Sequence, residues 1–70
     1  MVIYYIEFKG FDDIITIVYD TKRHRYTISL FGEKELDFSK KQGEAIIKFL
    51  RFIKEKNPDF IEMDEEYEFY

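Results

Sequence analysis

Apolar residues alternate or cluster in short runs over the first forty residues, and then recur at helical spacing. Val2 to Lys9 is rich in aromatic and β-branched residues, Gly10-Phe11-Asp12-Asp13 supplies turn chemistry, and Ile14 to Asp20 is a second such run. This pattern predicts a β-hairpin. After the charged stretch Thr21-Lys22-Arg23-His24, the residues Tyr26, Ile28 and Leu30 alternate with Thr27, Ser29 and Phe31, which predicts a half-buried third strand. Gly32-Glu33 suits a two-residue type II′ turn, and Leu36 and Phe38 alternating with Glu35 and Asp37 predict a short fourth strand.

Ser39 and Gln42 have the spacing of a capping box, so a helix is expected to begin there. At about 100° per residue, Phe52, Ala45, Phe49, Ile53, Ile46 and Leu50 share an arc of about 160° that would lie on the sheet. Glu44, Lys48, Arg51 and Glu55 face the other way, and Asn57-Pro58 ends the helix. Gly43, inside the first turns, costs about 1 kcal/mol relative to alanine unless close packing requires it. Beyond the proline, Ile61-Glu62-Met63 and Tyr67-Glu68-Phe69 suit extended chain, so a short fifth strand followed by a mobile acidic tip is expected.

The fold class that follows is α+β: an antiparallel β-meander of four or five strands with one amphipathic helix packed on one face. Residues 1–58 form the domain, and 59–70 an acidic, aromatic C-terminal segment. At 70 residues the chain buries only about 60% of its unfolded surface. The absence of cysteine removes disulfides and thiolate metal sites, which makes an intracellular, cytoplasmic setting the expectation. No signal peptide is predicted, and uncharged stretches fall far short of the roughly 20 residues that span a bilayer.

The first hairpin is apolar on both faces, and 14 of 70 residues are aromatic, more than one helix can cover. Self-association as a homodimer through Ile3, Tyr5, Ile15, Ile17 and Tyr19 is therefore expected. The alternative is that the C-terminal segment, through Phe60, Ile61, Tyr67 and Phe69, folds back over the second face.

Catalysis by a nucleophile and base is not supported, because there is no cysteine and the single histidine, His24, sits in a basic turn. Asp12-Asp13 suits turn chemistry, and Glu33, Glu35 and Asp37 suit a solvated strand face rather than a metal site. With no phosphate loop and no metal-ligand spacing, no enzyme activity, metal or cofactor is predicted.

Charge is more informative by segment than in sum: residues 1–38, 39–57 and 58–70 carry −2, +4 and −6, within a total of −4. The tail residues Asp64, Glu65, Glu66, Tyr67, Glu68, Phe69 and Tyr70 interleave acids with aromatic anchors, the composition of a segment that recognises a basic protein partner. Such a segment could imitate nucleic acid and inhibit a nucleic-acid-binding or defence protein, a strategy of small inhibitors carried by phages and mobile elements. The leading expectation is thus a small non-enzymatic interaction protein acting through acidic and aromatic surface.

The alternative is a single-stranded nucleic-acid-binding module using Lys22, Arg23, Arg25, Lys48 and Arg51, with strand tyrosines for base stacking. The meander followed by one helix resembles the PC4-like single-strand-binding fold in topology, which implies the same partner. The net negative charge opposes that reading. A link between the two is autoinhibition, in which the −6 tail lies on the +4 helix.

Overall fold

The computed structural model describes residues 1–30 and 34–68. Five strands and one helix follow in the order β1 Val2–Phe8, β2 Ile14–Asp20, β3 Arg25–Leu30, β4 Lys34–Ser39, α1 Lys40–Lys56 and β5 Ile61–Tyr67. They form one antiparallel sheet in the order β4-β3-β2-β1-β5, with the helix on one face. The α+β meander is therefore present, and the segment after the proline is a full strand added at the free edge of β1. The expected turn at Gly32-Glu33 lies outside the described residues, as do Phe69 and Tyr70.

Local chemistry explains the connections. The amide of Phe11 donates to the carbonyl of Phe8 across Gly10, whose φ of +84° is a conformation that suits glycine. In the β2–β3 turn the Asp20 carboxylate accepts from the amides of Lys22 and Arg23, and His24 takes a left-handed φ of +55°. These amide donors, Arg23 first, hold the Asp20 carboxyl below its ordinary pKa. The capping box forms as the spacing requires: the amide of Gln42 donates to Ser39 Oγ, and Gln42 Oε1 accepts from the amide of Ser39.

Strand alternation and register divide the sheet residues between two faces. Pairing sets Ile6 opposite Ile15, Tyr4 opposite Ile17, and Ile17 opposite Ile28, all on the face that carries the helix. Tyr4, Ile6, Ile17, Tyr26, Ile47 and Ile61 form the buried core there. Ile3 and Tyr5 pair with Val18 and Thr16 on the opposite face. The five residues expected to self-associate are thus separated, because Ile15, Ile17 and Tyr19 belong to the helix-covered face.

The apolar arc of the helix is also rotated from expectation. Gly43 and Ile47 are buried, and Ile46, Leu50 and Ile53 flank them, whereas Ala45, Phe49 and Phe52 are exposed. Gly43 is the reason. Its Cα lies against the buried ring of Tyr26, and a Cβ there would overlap that ring. The helix therefore approaches the sheet through its smallest residue, which brings Ile47 inward and leaves the phenylalanines outside. Tyr26 is in turn stacked on Tyr19, with ring centroids 4.6 Å apart.

The amide of Lys9 donates to the carbonyl of Phe60, and the Phe8 and Phe60 rings meet at 5.4 Å, fastening the start of β5 to β1. Among the described residues no helix is long and apolar enough to cross a membrane.

Candidate functional site

The face without the helix carries the molecule's most unequal charge distribution. Register places Glu7 on β1, Asp20 on β2, Glu35 and Asp37 on β4, and Glu62, Asp64 and Glu66 on β5 on this side, and among the described strand residues Arg25 is the one base there. Seven acids against one base give −6. The helix on the other side has six bases, Lys40, Lys41, Lys48, Arg51, Lys54 and Lys56, against Glu44 and Glu55, or +4. The two sides of the sheet are therefore oppositely charged.

The acids frame an apolar stripe made of Ile3, Tyr5, Ile14 and Val18. Ile3 is only 9% exposed, flanked by Val18 of β2 on one side and Glu66 of β5 on the other. The first hairpin thus has less bare apolar surface than its sequence suggests. The C-terminal segment reduces it by extending the sheet, not by folding over the face. Glu7, Glu62, Asp64 and Glu66 cluster at the β5 edge, and among the described residues none of them is in an ion pair. At the opposite edge Asp37 pairs with Arg25 at 3.0 Å.

On the helix side, Glu65 and Tyr67 meet the helix. Arg51 donates to Glu65, the Tyr67 hydroxyl donates to the other carboxylate oxygen at 2.9 Å, and Lys54 reaches the Met63 carbonyl at 3.4 Å. The Arg51 guanidinium also lies 5.9 Å above the Tyr4 ring. Its hydrogen bond holds the Glu65 carboxyl below the ordinary range, and the same bond raises Arg51. Tyr67 is raised by its bond to Glu65. Burial raises Tyr4 and Tyr26, with Glu65 adding to the first and Tyr4 and Glu44 to the second.

A depressed carboxyl pKa stabilises the fold above its unfolded value, and that contribution is lost as pH falls through the folded value. Below about pH 4.3, wild type is expected to lose up to about 1 kcal/mol more than Glu65→Gln, a ceiling set by the solvent screening of this partly exposed pair. Urea midpoints measured from pH 7 downward check this, and parallel curves for the two proteins would contradict it.

The remaining predicted residues are dispersed. Lys22 and Arg23 stand exposed in the β2–β3 turn, where His24 Nδ1 lies 3.2 Å from the Tyr19 hydroxyl. Lys48 lines a shallow groove with Tyr4, Tyr26, Glu44, Ile47 and Arg51. Arg25 and Arg51 are committed to carboxylates. The tail does not present its side chains together: Asp64 and Glu66 face one way, Glu65 and Tyr67 the other, and the Glu68 amide bonds to the Met1 carbonyl.

Reading the tail as one linear segment missed the acidic face. The available signal was the period of two in Glu62, Asp64 and Glu66, matched by Glu35 and Asp37. Among the described residues, no group of three or more His, Asp or Glu side chains is gathered closely enough to hold a metal. The chain matches no protein-family model, no curated protein and no solved structure. Its functional reading therefore rests on this geometry.

Proposed function

We propose that this chain is a small, non-enzymatic interaction protein that docks its acidic sheet face on a basic surface of a protein partner. The observation that carries the reading is the gathering, among the described strand residues, of seven acids and one base on a single face around Ile3, Tyr5, Ile14 and Val18. Such a face steers a basic partner into encounter, and its apolar stripe supplies area to bury after contact. Surfaces that bind nucleic acid are more positively charged than ordinary protein interfaces. The partner class that fits is therefore a nucleic-acid-binding protein, which this face would inhibit by occupying its phosphate-contacting surface.

Direct binding of single-stranded nucleic acid is the weaker reading. The exposed sheet face that would stack bases is acidic, and Arg25 and Arg51 are already paired.

The test is calorimetric titration with a short lysine- and arginine-rich peptide and, separately, with oligothymidylate. The peptide is expected to bind wild type, more weakly as salt rises, and to lose at least about tenfold in affinity to the Glu62→Lys/Asp64→Lys/Glu66→Lys protein. All three positions are exposed, so the substitutions leave the core intact. Equal peptide affinity for both proteins would overturn the proposal. So would oligothymidylate binding that disappears on replacing Lys22 and Arg23.

A further inference from the structure

β5 forms one edge of the sheet, with β1 on its inner side and, among the described residues, no strand beyond it. An antiparallel pair alternates residues that exchange backbone hydrogen bonds with residues that do not. At one end of the β1–β5 pair the Glu68 amide donates to the Met1 carbonyl and the Met1 ammonium donates to the Glu68 carbonyl. At the other end the Lys9 amide donates to the Phe60 carbonyl. Followed along the register, the bonded partners are Ile3 with Glu66, Tyr5 with Asp64, and Glu7 with Glu62. Glu62, Asp64 and Glu66 therefore turn their backbone groups toward β1. Ile61, Met63, Glu65 and Tyr67 turn theirs outward, and the Lys54 ammonium, 3.4 Å from the Met63 carbonyl, marks that direction.

These outward amides and carbonyls form a row with which a further strand can pair. Glu62, Asp64 and Glu66 stand exposed beside the row, at every second residue, on the face without the helix. Residues of an added strand opposite these three share their face and lie close enough for the side chains to meet. On the helix face Glu65 is already paired with Arg51, and Lys54 stands at the edge. A base arriving on that side would meet like charge. The strand that fits carries bases at alternate positions and uncharged residues between them.

We propose that the partner of the acidic face is held as an added β-strand on the free edge of β5, with lysine or arginine at every second residue over Glu62, Asp64 and Glu66. The inference rests on the proposed role of the acidic face and deepens it by naming the form of the ligand. A second copy of this chain does not fit the edge. β5 laid antiparallel on β5 sets these acids opposite the same acids, which destabilises a strand pair. The Lys54 contact is long for a hydrogen bond and comes from an exposed side chain, so an arriving amide replaces it.

The test is titration of the full chain at low salt with a peptide of alternating threonine and lysine, seven residues long like β5, followed by amide chemical shifts. A strand turns only one set of its alternate amides toward a given neighbour. Two further peptides are therefore compared, one N-methylated on its threonines and the other on its lysines. One of them is expected to lose at least about tenfold in affinity, because each hydrogen bond removed contributes a few-fold. The other should match the unmodified peptide. Equal affinities for all three peptides, or equal losses for both methylated ones, would overturn strand addition. If Glu62→Lys/Asp64→Lys/Glu66→Lys still weakens binding in that case, the acidic face stands as the binding surface without an added strand. No binding of the unmodified peptide to wild type up to millimolar concentration would overturn both.

Discussion

The Ile17→Ala protein is expected to be largely unfolded in water at 25 °C. Ile17 is fully buried at the middle of the central strand, opposite Tyr4 on one side and Ile28 on the other, and beneath the helix. Truncating such an isoleucine costs about 2–5 kcal/mol, through lost transfer free energy and the cavity left behind. A single core in a chain of this size rarely supplies more than about 3–5 kcal/mol in total. No disulfide is present to offset the loss. Far-ultraviolet circular dichroism and urea titration read the result directly. A cooperative transition with a midpoint close to wild type would contradict the placement of the core.

Replacing Gly43 with alanine is expected to destabilise the fold by about 1–3 kcal/mol, the usual cost of forcing an extra group into a packed site. Helix propensity taken alone predicts the opposite sign, a gain of about 1 kcal/mol. The two effects separate cleanly because the Cβ would enter the ring of Tyr26, which is 5% exposed and backed by Tyr19. The ring has little room to retreat. Tyr26→Leu combined with Gly43→Ala should recover part of the loss, since the two changes share one contact. A higher urea midpoint for Gly43→Ala alone would mean that the helix does not approach the sheet through this glycine.

Much of this fold is readable in local sequence, because the determining interactions are themselves local. The capping box at Ser39 and Gln42, the stop at Asn57-Pro58 and the alternation in β3 each involve residues a few positions apart. Faces are different. Whether Ile17 shares a side with Tyr4 or with Tyr5 depends on the register across the turn at Gly10, and a slip of one residue exchanges the faces. For that reason the sequence pattern alone groups Ile15, Ile17 and Tyr19 with Ile3 and Tyr5, which lie on the other side.

The helix shows a second limit. Its apolar residues cover a wider arc than the sheet can bury, and the side buried is selected by a contact with Tyr26, 17 residues earlier in the chain. The acidic face was hidden for a related reason. Its members come from four strands, and only pairing brings Glu7, Asp20, Glu35, Asp37, Glu62, Asp64 and Glu66 to one side. The segment charges of −6 and +4 pointed to a contact between tail and helix, and Arg51 with Glu65 makes one. That contact uses the side of β5 turned away from the acidic face, so pairing with the helix and display of Glu62, Asp64 and Glu66 are compatible.

Backbone amide chemical-shift mapping during titration with a lysine- and arginine-rich peptide would locate the interaction residue by residue. Shifts are expected along β5 and β1, at Tyr5, Glu62, Asp64 and Glu66 and at neighbouring Val18, weakening together as salt is raised. The helix flank at Lys48 and the turn at Lys22 and Arg23 should remain unchanged. Peptide shifts on the helix side with an undisturbed acidic face would contradict the assignment of function to that face.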